Sequence, residues 1–431
     1  MKVLLVGGGG REHALAWRLR EEDPSIEIVA APGNPGIAEF ASCVSVAATD
    51  VVRLAELALA ERVDWTLVGP EAPLAAGIVD AFRAKGLPIF GPTRSAAMLE
   101  TSKAFSKTLM AEAGVPTARA IACDGIGAAY AAIDAIGAPV VIKASGLAAG
   151  KGVIICRTVD EARAAASAML DARVFGSAGD VVLVEEFMEG EELSVFAITD
   201  GERFVILPPA QDHKRLLEGD GGPNTGGMGA YSPVSLAEQS PDLISTIADV
   251  IIEPTLAEMR SRGTPFTGLL YVGAMVTTDG PKVVEFNCRF GDPETQAVLP
   301  VIARDDSLID LMYRVARGGS LQQGLELTAA SAAVATVLAA PGYPDAPTSG
   351  AAISILNAPL GVLVFHAGTK RAADGELVTA GGRVLTVTGV AASFDEAQAR
   401  SQAFAREIQF EGKQFRADIG WRELARRAGA T

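Results

Sequence analysis

The chain has 431 residues, 49% hydrophobic and 21% charged, with 52 acidic residues against 37 basic ones and a formal net charge of −15. That length exceeds one hydrophobic core and implies three or four domains; the composition is that of a folded protein, and so negative a field disfavours nucleic acid as a partner and obliges any bound phosphate to find local cations. The four cysteines, Cys43, Cys123, Cys156 and Cys288, stand far apart with no CxxC pair, so neither a disulfide framework nor a zinc site is indicated and a reducing cytoplasm fits.

The opening MKVLLVGGGG has too few apolar residues before glycine for a signal-peptide core. It reads as a strand over 2–6, followed by a helix over 11–21, a strand over 26–30, a helix over 51–61, a strand over 65–68, a helix over 78–85 and a short strand at 89–90. This alternation predicts an open parallel sheet wound on both faces. A helix from Lys103 stops at Gly114-Val115-Pro116, and a second unit opens near Ile121. It holds a helix over 130–136, strands over 139–143 and 153–156, a helix over 161–170 with Thr158 and Glu161 as a capping box, and a strand over 181–185. So compact an insertion would make a small lid.

Strands over 193–199 and 203–207 follow, then a long glycine-rich loop, a helix over 243–262 and a hairpin over 271–277 and 282–286. From about 326 the pattern turns to short strands, at 332–339, 352–356, 362–366 and 383–390. A helix over 394–408 comes next, with Phe394, Ala397, Phe404 and Ile408 on one face and Ser393 with Glu396 as its capping box. The uncharged run 327–344 has the length of a membrane span but is rich in Ala, Ser and Thr and broken by Pro341 and Gly342, so a buried strand and its turn explain it better. The expected fold class is α/β, with an N-terminal doubly wound parallel sheet over 1–102, a central domain over 103–120 and 188–325, a lid over 121–187 and a C-terminal β-rich α+β domain over 326–431.

Several segments carry chemistry. In VVIKASGLAAGKGV, 140–153, a β-branched run ends on Lys143 and a loop with Gly146, Gly150 and Gly152 returns a second lysine, Lys151. Strand, loop, strand is not the strand-to-helix context of a Walker loop; it suits a glycine-rich hairpin folding over a nucleotide, or a plain surface hairpin. In VGGGGREHA, Gly8, Gly9 and Gly10 link a strand to a helix whose amides offer an anion site. The second strand ends Val29-Ala30-Ala31-Pro32 without the carboxylate that holds a dinucleotide's ribose, so NAD is disfavoured. PGNPG at 32–36 and GPEAPL at 69–74 sit at further strand ends, where Glu71 could take ribose hydroxyls or serve only a turn.

EEFMEGEELS offers backbone groups of Glu185, Glu186, Phe187 and Met188 to an adenine edge and Glu192 to a ribose, although alone it reads as an acidic loop. KVVEFNCRFGDPETQ, 282–296, is the strongest signal: alternation puts Glu285 and Asn287 on one strand face, a hard-oxygen pair suited to Mg²⁺ held by nucleotide phosphates. Arg289 shares that parity and its planar fork suits a carboxylate or phosphate. QDHKRLLEGDGGPNTGGMGAYSP, 211–233, gathers Asp212, His213, Lys214, Arg215 and Asn224 in a loop too long to be idle. His213 is the one histidine so placed, His13 being expected to pack on its helix and His366 to lie in a C-terminal strand.

The lid hairpin with Lys143, the hinge EEFM with Glu192 and the pair Glu285 and Asn287 resemble the ATP-grasp superfamily, in which two domains close on ATP. The strings GGGGREHA, KASGLAAGKGV, QDHKRLLEGDGGPNTGGMGAYSP, EFNCRFGDPETQ and FRADIG at 415–420 resemble, from residue 1 to about 422, the phosphoribosylamine–glycine ligase family, also called glycinamide ribonucleotide synthetases. The resemblance implies an ATP-grasp core with its lid, Mg²⁺ or Mn²⁺, and the small substrates glycine and 5-phosphoribosylamine, joined through glycyl phosphate in purine biosynthesis. A cytoplasmic ligase is implied, with no membrane or nucleic-acid partner and a monomer as the expected state. Carried over, it puts Lys103, Lys143, Ser145, Lys151, Gly152, Glu185 to Met188, Glu192, Arg215 and Asn224 on ATP. Glu285 and Asn287 would hold the metal, and Gly8 to Gly10, Glu71, Asp212, Arg289 and Asp292 the other substrates, with Asp212, Arg215, Arg289 and Asp292 nearest the chemistry. The strand over 271–276 departs from the wider superfamily in lacking a second metal-binding carboxylate, which leaves the number of ions open. The rivals are an ATP-grasp carboxylase acting on bicarbonate and a non-catalytic nucleotide sensor.

Overall fold

The computed structural model describes residues 1–148, 151–240, 242–303, 307–322 and 327–429. The N-terminal alternation builds a five-stranded parallel sheet in the order Ser42–Cys43, Glu27–Pro32, Lys2–Gly7, Trp65–Val68, Ile89–Phe90. Successive residues of its central strand serve two cores. Leu4 and Val6 join one apolar cluster, Val3 and Leu5 the other, and all four are fully buried, which is why the strand reads as an unbroken apolar run.

An antiparallel sheet continues both cores, in the order Phe204–Ile206, Glu191–Thr199, Gly268–Thr277, Gly280–Asn287. Val195, Ala197, Leu270 and Val272 extend the first cluster, Phe196, Ile198, Leu269 and Tyr271 the second. Residues 120–186 form a separate four-stranded antiparallel sheet, Ala120–Cys123, Val182–Glu186, Val140–Ala144, Val153–Cys156, covered by helices Ile126–Ile136 and Val159–Leu170 around its own apolar cluster. The third large sheet runs Gln211–Asp212, Gly229–Ser232, Ala332–Ala339, Arg383–Ala391, Val362–His366. Helix Phe394–Glu407 packs on it through Phe394, Ala397 and Phe404.

The sequence expectations need several corrections. The glycine-rich stretch 211–233 is not a loop throughout: it gives two strands to the C-terminal sheet and folds the small hairpin Arg215–Leu217 with Gly221–Asn224 between them. Residues 352–356 form only isolated bridges, Ala352 with Val378 and Ser354 with Gln409; the regular hairpin nearby is Thr369–Arg371 with Leu377–Thr379. The segment 69–74, expected as a turn, opens helix Glu71–Ala75. The helix over 243–262 is interrupted by a π-helical turn, Ala248–Ile252. Pro254 explains the break, since its ring removes an N–H and clashes with the carbonyl four residues back. Ala332–Ala339 is buried at every residue, as the uncharged run foretells, and no helix among the described residues is long and apolar enough to cross a membrane. The four cysteines are free.

Candidate active site

The parallel sheet, the central sheet, the small 120–186 unit and the hairpin at 215–224 all contribute walls to one cleft of about 620 Å³. Glu285 and Asn287 reach it from the end of Gly280–Asn287, two residues apart on an extended chain and hence on one face. Burial would push the Glu285 carboxyl up, but Lys214, Lys103, Lys143 and Arg289 hold it below its ordinary range. Lys214 is ion-paired to Glu192, and Glu192, Asp212 and Glu285 keep its ammonium well above the usual value against the pull of burial. Asp212 is the opposite case: burial, with Glu294, Glu192 and Glu285 near it and Lys214 as the opposing cation, pushes it up to about 8.

A divalent cation fits this donor set. Glu285 and the Asn287 amide offer hard oxygens, and added positive charge would relieve the repulsion that raises Asp212. Among the described residues no cluster of three or more His, Cys, Asp or Glu is arranged to hold a metal alone, so such an ion would complete its shell with phosphate oxygens and water, the normal habit of Mg²⁺.

Lys143 donates to the Val284 carbonyl at 3.2 Å and pairs with Glu185 at 2.7 Å, while Lys107 reaches the other Glu185 oxygen at 3.4 Å. The Glu185 side chain is thereby a buried anchor between two lysines, a part the sequence did not suggest. Lys107 itself is lowered to about 8, by burial first, with Glu185 opposing. Glu186, Phe187 and Met188 follow along the cleft wall, and Lys103, Gly152, Arg215 and Asn224 also line it. Arg215 and Asn224 face each other across the small hairpin, and Arg215 donates to the Gly222 carbonyl at 2.8 Å.

Arg289 is gripped on two sides, by Glu71 at 3.1 Å and Glu100 at 3.0 Å, and it also donates to Asn287 Oδ1 at 3.3 Å. Neither Asp292 nor Glu294 is its ion-pair partner: Asp292 pairs with Arg383 at 3.3 Å and accepts from Gln296 at 2.8 Å. Burial opposes but Arg289 and Arg11 hold Glu71 low, whereas the more deeply buried Glu100 is raised by desolvation. Glu71 is thus a salt-bridge partner here rather than a free acceptor.

Five expected residues fall outside the lining. Gly8, Gly9 and Gly10 sit at the start of helix Gly10–Glu22, where the chain's own Glu12 accepts from the Gly9 N–H at 2.5 Å. Ser145 braces the helix that carries Lys103, its hydroxyl accepting from Ala104 N–H at 3.1 Å, and Lys151 is exposed. The glycines of that hairpin serve packing: a Cβ on Gly146 would lie 2.6 Å from Ala178 Cα, and one on Gly152 2.7 Å from Ala148 Cβ. Gly150 lies outside the described residues. His213 turns away from the cleft, is 1% exposed and accepts from Gly420 N–H at 2.9 Å.

The cleft also holds Arg11, Glu100, Lys107, Glu294, Arg383 and Tyr271, none of them among the site residues expected from the sequence. Lys107 had a signal, since it stands one helical turn beyond Lys103 on the same face. Arg383, at the head of a strand, had none.

Family models described as phosphoribosylglycinamide synthetase N domain, ATP-grasp (A) domain and C domain match residues 1–100, 101–295 and 333–422. A phosphoribosylamine–glycine ligase of Ralstonia nicotianae is 49% identical over 430 residues, covering 99% of this chain and 100% of that protein. The crystal structure of phosphoribosylamine–glycine ligase from Thermotoga maritima superposes with a TM-score of 0.83 at 33% identity, covering 97% and 100% of the two chains. A biotin carboxylase domain from Hydrogenobacter thermophilus, solved with MgADP and bicarbonate, shares the fold alone, with a TM-score of 0.72 and 19% identity over 96% of this chain and 91% of that one. With models for all three domains matched and near-complete alignment to these relatives, the chain belongs to the phosphoribosylglycinamide synthetase family.

Proposed function

We infer that this chain is an ATP-dependent carbon–nitrogen ligase that joins glycine to 5-phosphoribosylamine, giving glycinamide ribonucleotide, ADP and phosphate in purine biosynthesis. The observation that carries the reading is a cleft in which lysines from the helix at 103, the hairpin at 143 and the segment at 214 surround the Glu285–Asn287 strand end, in a chain of this family. A carboxylate must be activated before an amine can displace oxygen from it. A glycine oxygen attacks the γ-phosphorus, ADP leaves, and the amine then attacks the acyl carbon with loss of phosphate and one amine proton. No nucleophilic side chain is required; positioning and charge stabilisation carry the catalysis.

Lys103, Lys143, Arg215 and Asn224 are assigned to the nucleotide, supported by their common place on the cleft wall, with Glu186 to Met188 at the adenine edge and Glu192 toward the ribose. Glu285 and Asn287 would hold Mg²⁺ or Mn²⁺, which when bound neutralises developing phosphoryl charge. Asp212, on the cleft wall with Glu285 and Lys214, is the candidate acceptor of the amine proton. Arg289 is assigned to the glycine carboxylate: of its two partners Glu71 is the more exposed, 33% against 7% for Glu100, so substrate would enter on the Glu71 side. Asp292 and Glu71 remain with phosphoribosylamine. Free cysteines fit a cytoplasmic setting. Omission of each substrate in turn from an ADP-release assay tests the reading. Release that persists without glycine, or that bicarbonate supports in its place, rejects it.

A further inference from the structure

The string FRADIG at 415–420 takes no part in the chemistry above, yet its Arg416 is 1% exposed and fully engaged. Nε and Nη2 donate to the two Asp418 oxygens at 2.7 and 2.8 Å, and Nη1 donates to Asp220 Oδ1 at 3.0 Å and to the Arg215 carbonyl at 3.1 Å. Backbone bonds tie the same turn to the same place. Ala417 N–H donates to Glu218 at 3.0 Å, Gly219 N–H to Asp418 at 2.8 Å and Gly420 N–H to His213 Nε2 at 2.9 Å. Apart from Asp418 within the turn itself, all these partners lie in 213–220, the stretch that carries Arg215 and leads to Asn224.

The following helix, Trp421–Arg427, takes a second hold. Arg422 donates to Asp220 Oδ2 at 2.6 Å. Arg426, 5% exposed, donates to Glu191 at 2.6 Å, Gln211 at 3.2 Å, the Tyr231 hydroxyl at 3.0 Å and the buried Glu423 at 2.9 Å. Gln211 in turn donates to the Glu192 carbonyl at 2.7 Å. Two guanidinium groups buried against carboxylates are poor evidence for stability, because apolar replacements of such groups are often as stable. What they do supply is a fixed geometry, since a planar fork with several bonds has one orientation.

We propose that residues 415–427 are a positioning latch for the nucleotide side of the cleft, Arg416 setting the hairpin that carries Arg215 and Asn224, and Arg426 setting Glu191, Glu192 and Gln211. Neither arginine lines the cleft; each is a positioning residue acting through the backbone and side chains it holds. The inference rests on the assignment of ATP to this wall.

The test compares the full-length parent with Arg416→Lys, Arg426→Lys and Asp418→Asn. Calorimetric titration with a magnesium complex of a non-hydrolysable ATP analogue gives Kd, steady-state kinetics give KM for ATP and for glycine, and amide exchange is followed over 213–224 alongside thermal melting. Arg416→Lys keeps the charge but loses the fork, and should raise Kd for the analogue and KM for ATP roughly 10-fold, the scale of one charge-assisted hydrogen bond. Exchange in 213–224 should quicken while KM for glycine stays within about twofold. Asp418→Asn should act in the same direction, and because Asp418 is 21% exposed it keeps the question answerable if the lysine variant does not fold. Unchanged nucleotide affinity in a folded variant overturns the proposal, as does a loss of ATP and glycine affinity that merely tracks the melting temperature. Analogue binding needs no turnover, so a parent that binds the analogue without ligating glycine would reject the function while still deciding the latch.

Discussion

At the scale of single residues, the cleft is organised by charges that neutralise one another across long sequence distances. Glu285→Gln keeps volume and removes one charge from the proposed metal ligand, so kcat should fall about 10²-fold or more while the fold survives. Titration of activity against Mg²⁺ checks this; an active variant with the parent's Mg²⁺ dependence would place the ion elsewhere. Arg289→Lys keeps the charge between Glu71 and Glu100 but loses the fork, and KM for glycine should rise roughly 10-fold with KM for ATP nearly unchanged. Equal damage to both would return Arg289 to a bracing part. Glu285 with Asn287 could be read from the sequence because strand alternation is a local rule. The Arg289 partners could not, for Glu71 and Glu100 approach from separate elements far back in the chain. The place of His213 was hidden for the same reason: the loop that carries it shows nothing of the distant Gly420, whose N–H donates to its ring.

At the scale of elements, those with a strong period or a clear stop were legible. Val51–Glu61, Trp65–Val68 and Val153–Cys156 fall where the pattern puts them. Helix Glu294–Val301 was not, because nearly every residue in it is buried and no polar face betrays its period. The two-residue strand Gln211–Asp212 is too short to show alternation, and only its pairing with Gly229–Ser232 defines it.

A buried histidine pair joins the first helix to the C-terminal sheet: His13 Nδ1 accepts from the His366 N–H at 2.8 Å. Burial, and then the neighbouring His366, lowers His13 to about 3; burial, and then Arg371, lowers His366 to about 4. Both folded values lie below the ordinary 6.5, so their contribution is complete above pH 6.5 and is lost as pH falls toward 4, at roughly 1.4 kcal/mol per pH unit for each ring. Urea midpoints between pH 7.5 and 5 should drop more steeply for the parent than for His366→Gln. Parallel slopes would remove the histidines as the cause.

At the scale of the whole molecule, the unit at 120–186 has its own core cluster and meets the central sheet through contacts such as Lys143 with Val284. It should close on nucleotide, so that Mg-ATP slows amide exchange and proteolysis over Val140–Ala144 and Val153–Cys156; unchanged protection at saturating ATP would count against a moving lid. The measurement that bears most directly on the account is ADP release with ATP, Mg²⁺, glycine and 5-phosphoribosylamine supplied together and then omitted one at a time. Full release only with all four present is the predicted result. Release sustained by bicarbonate in place of glycine, or nucleotide binding with no turnover of any combination, would contradict it.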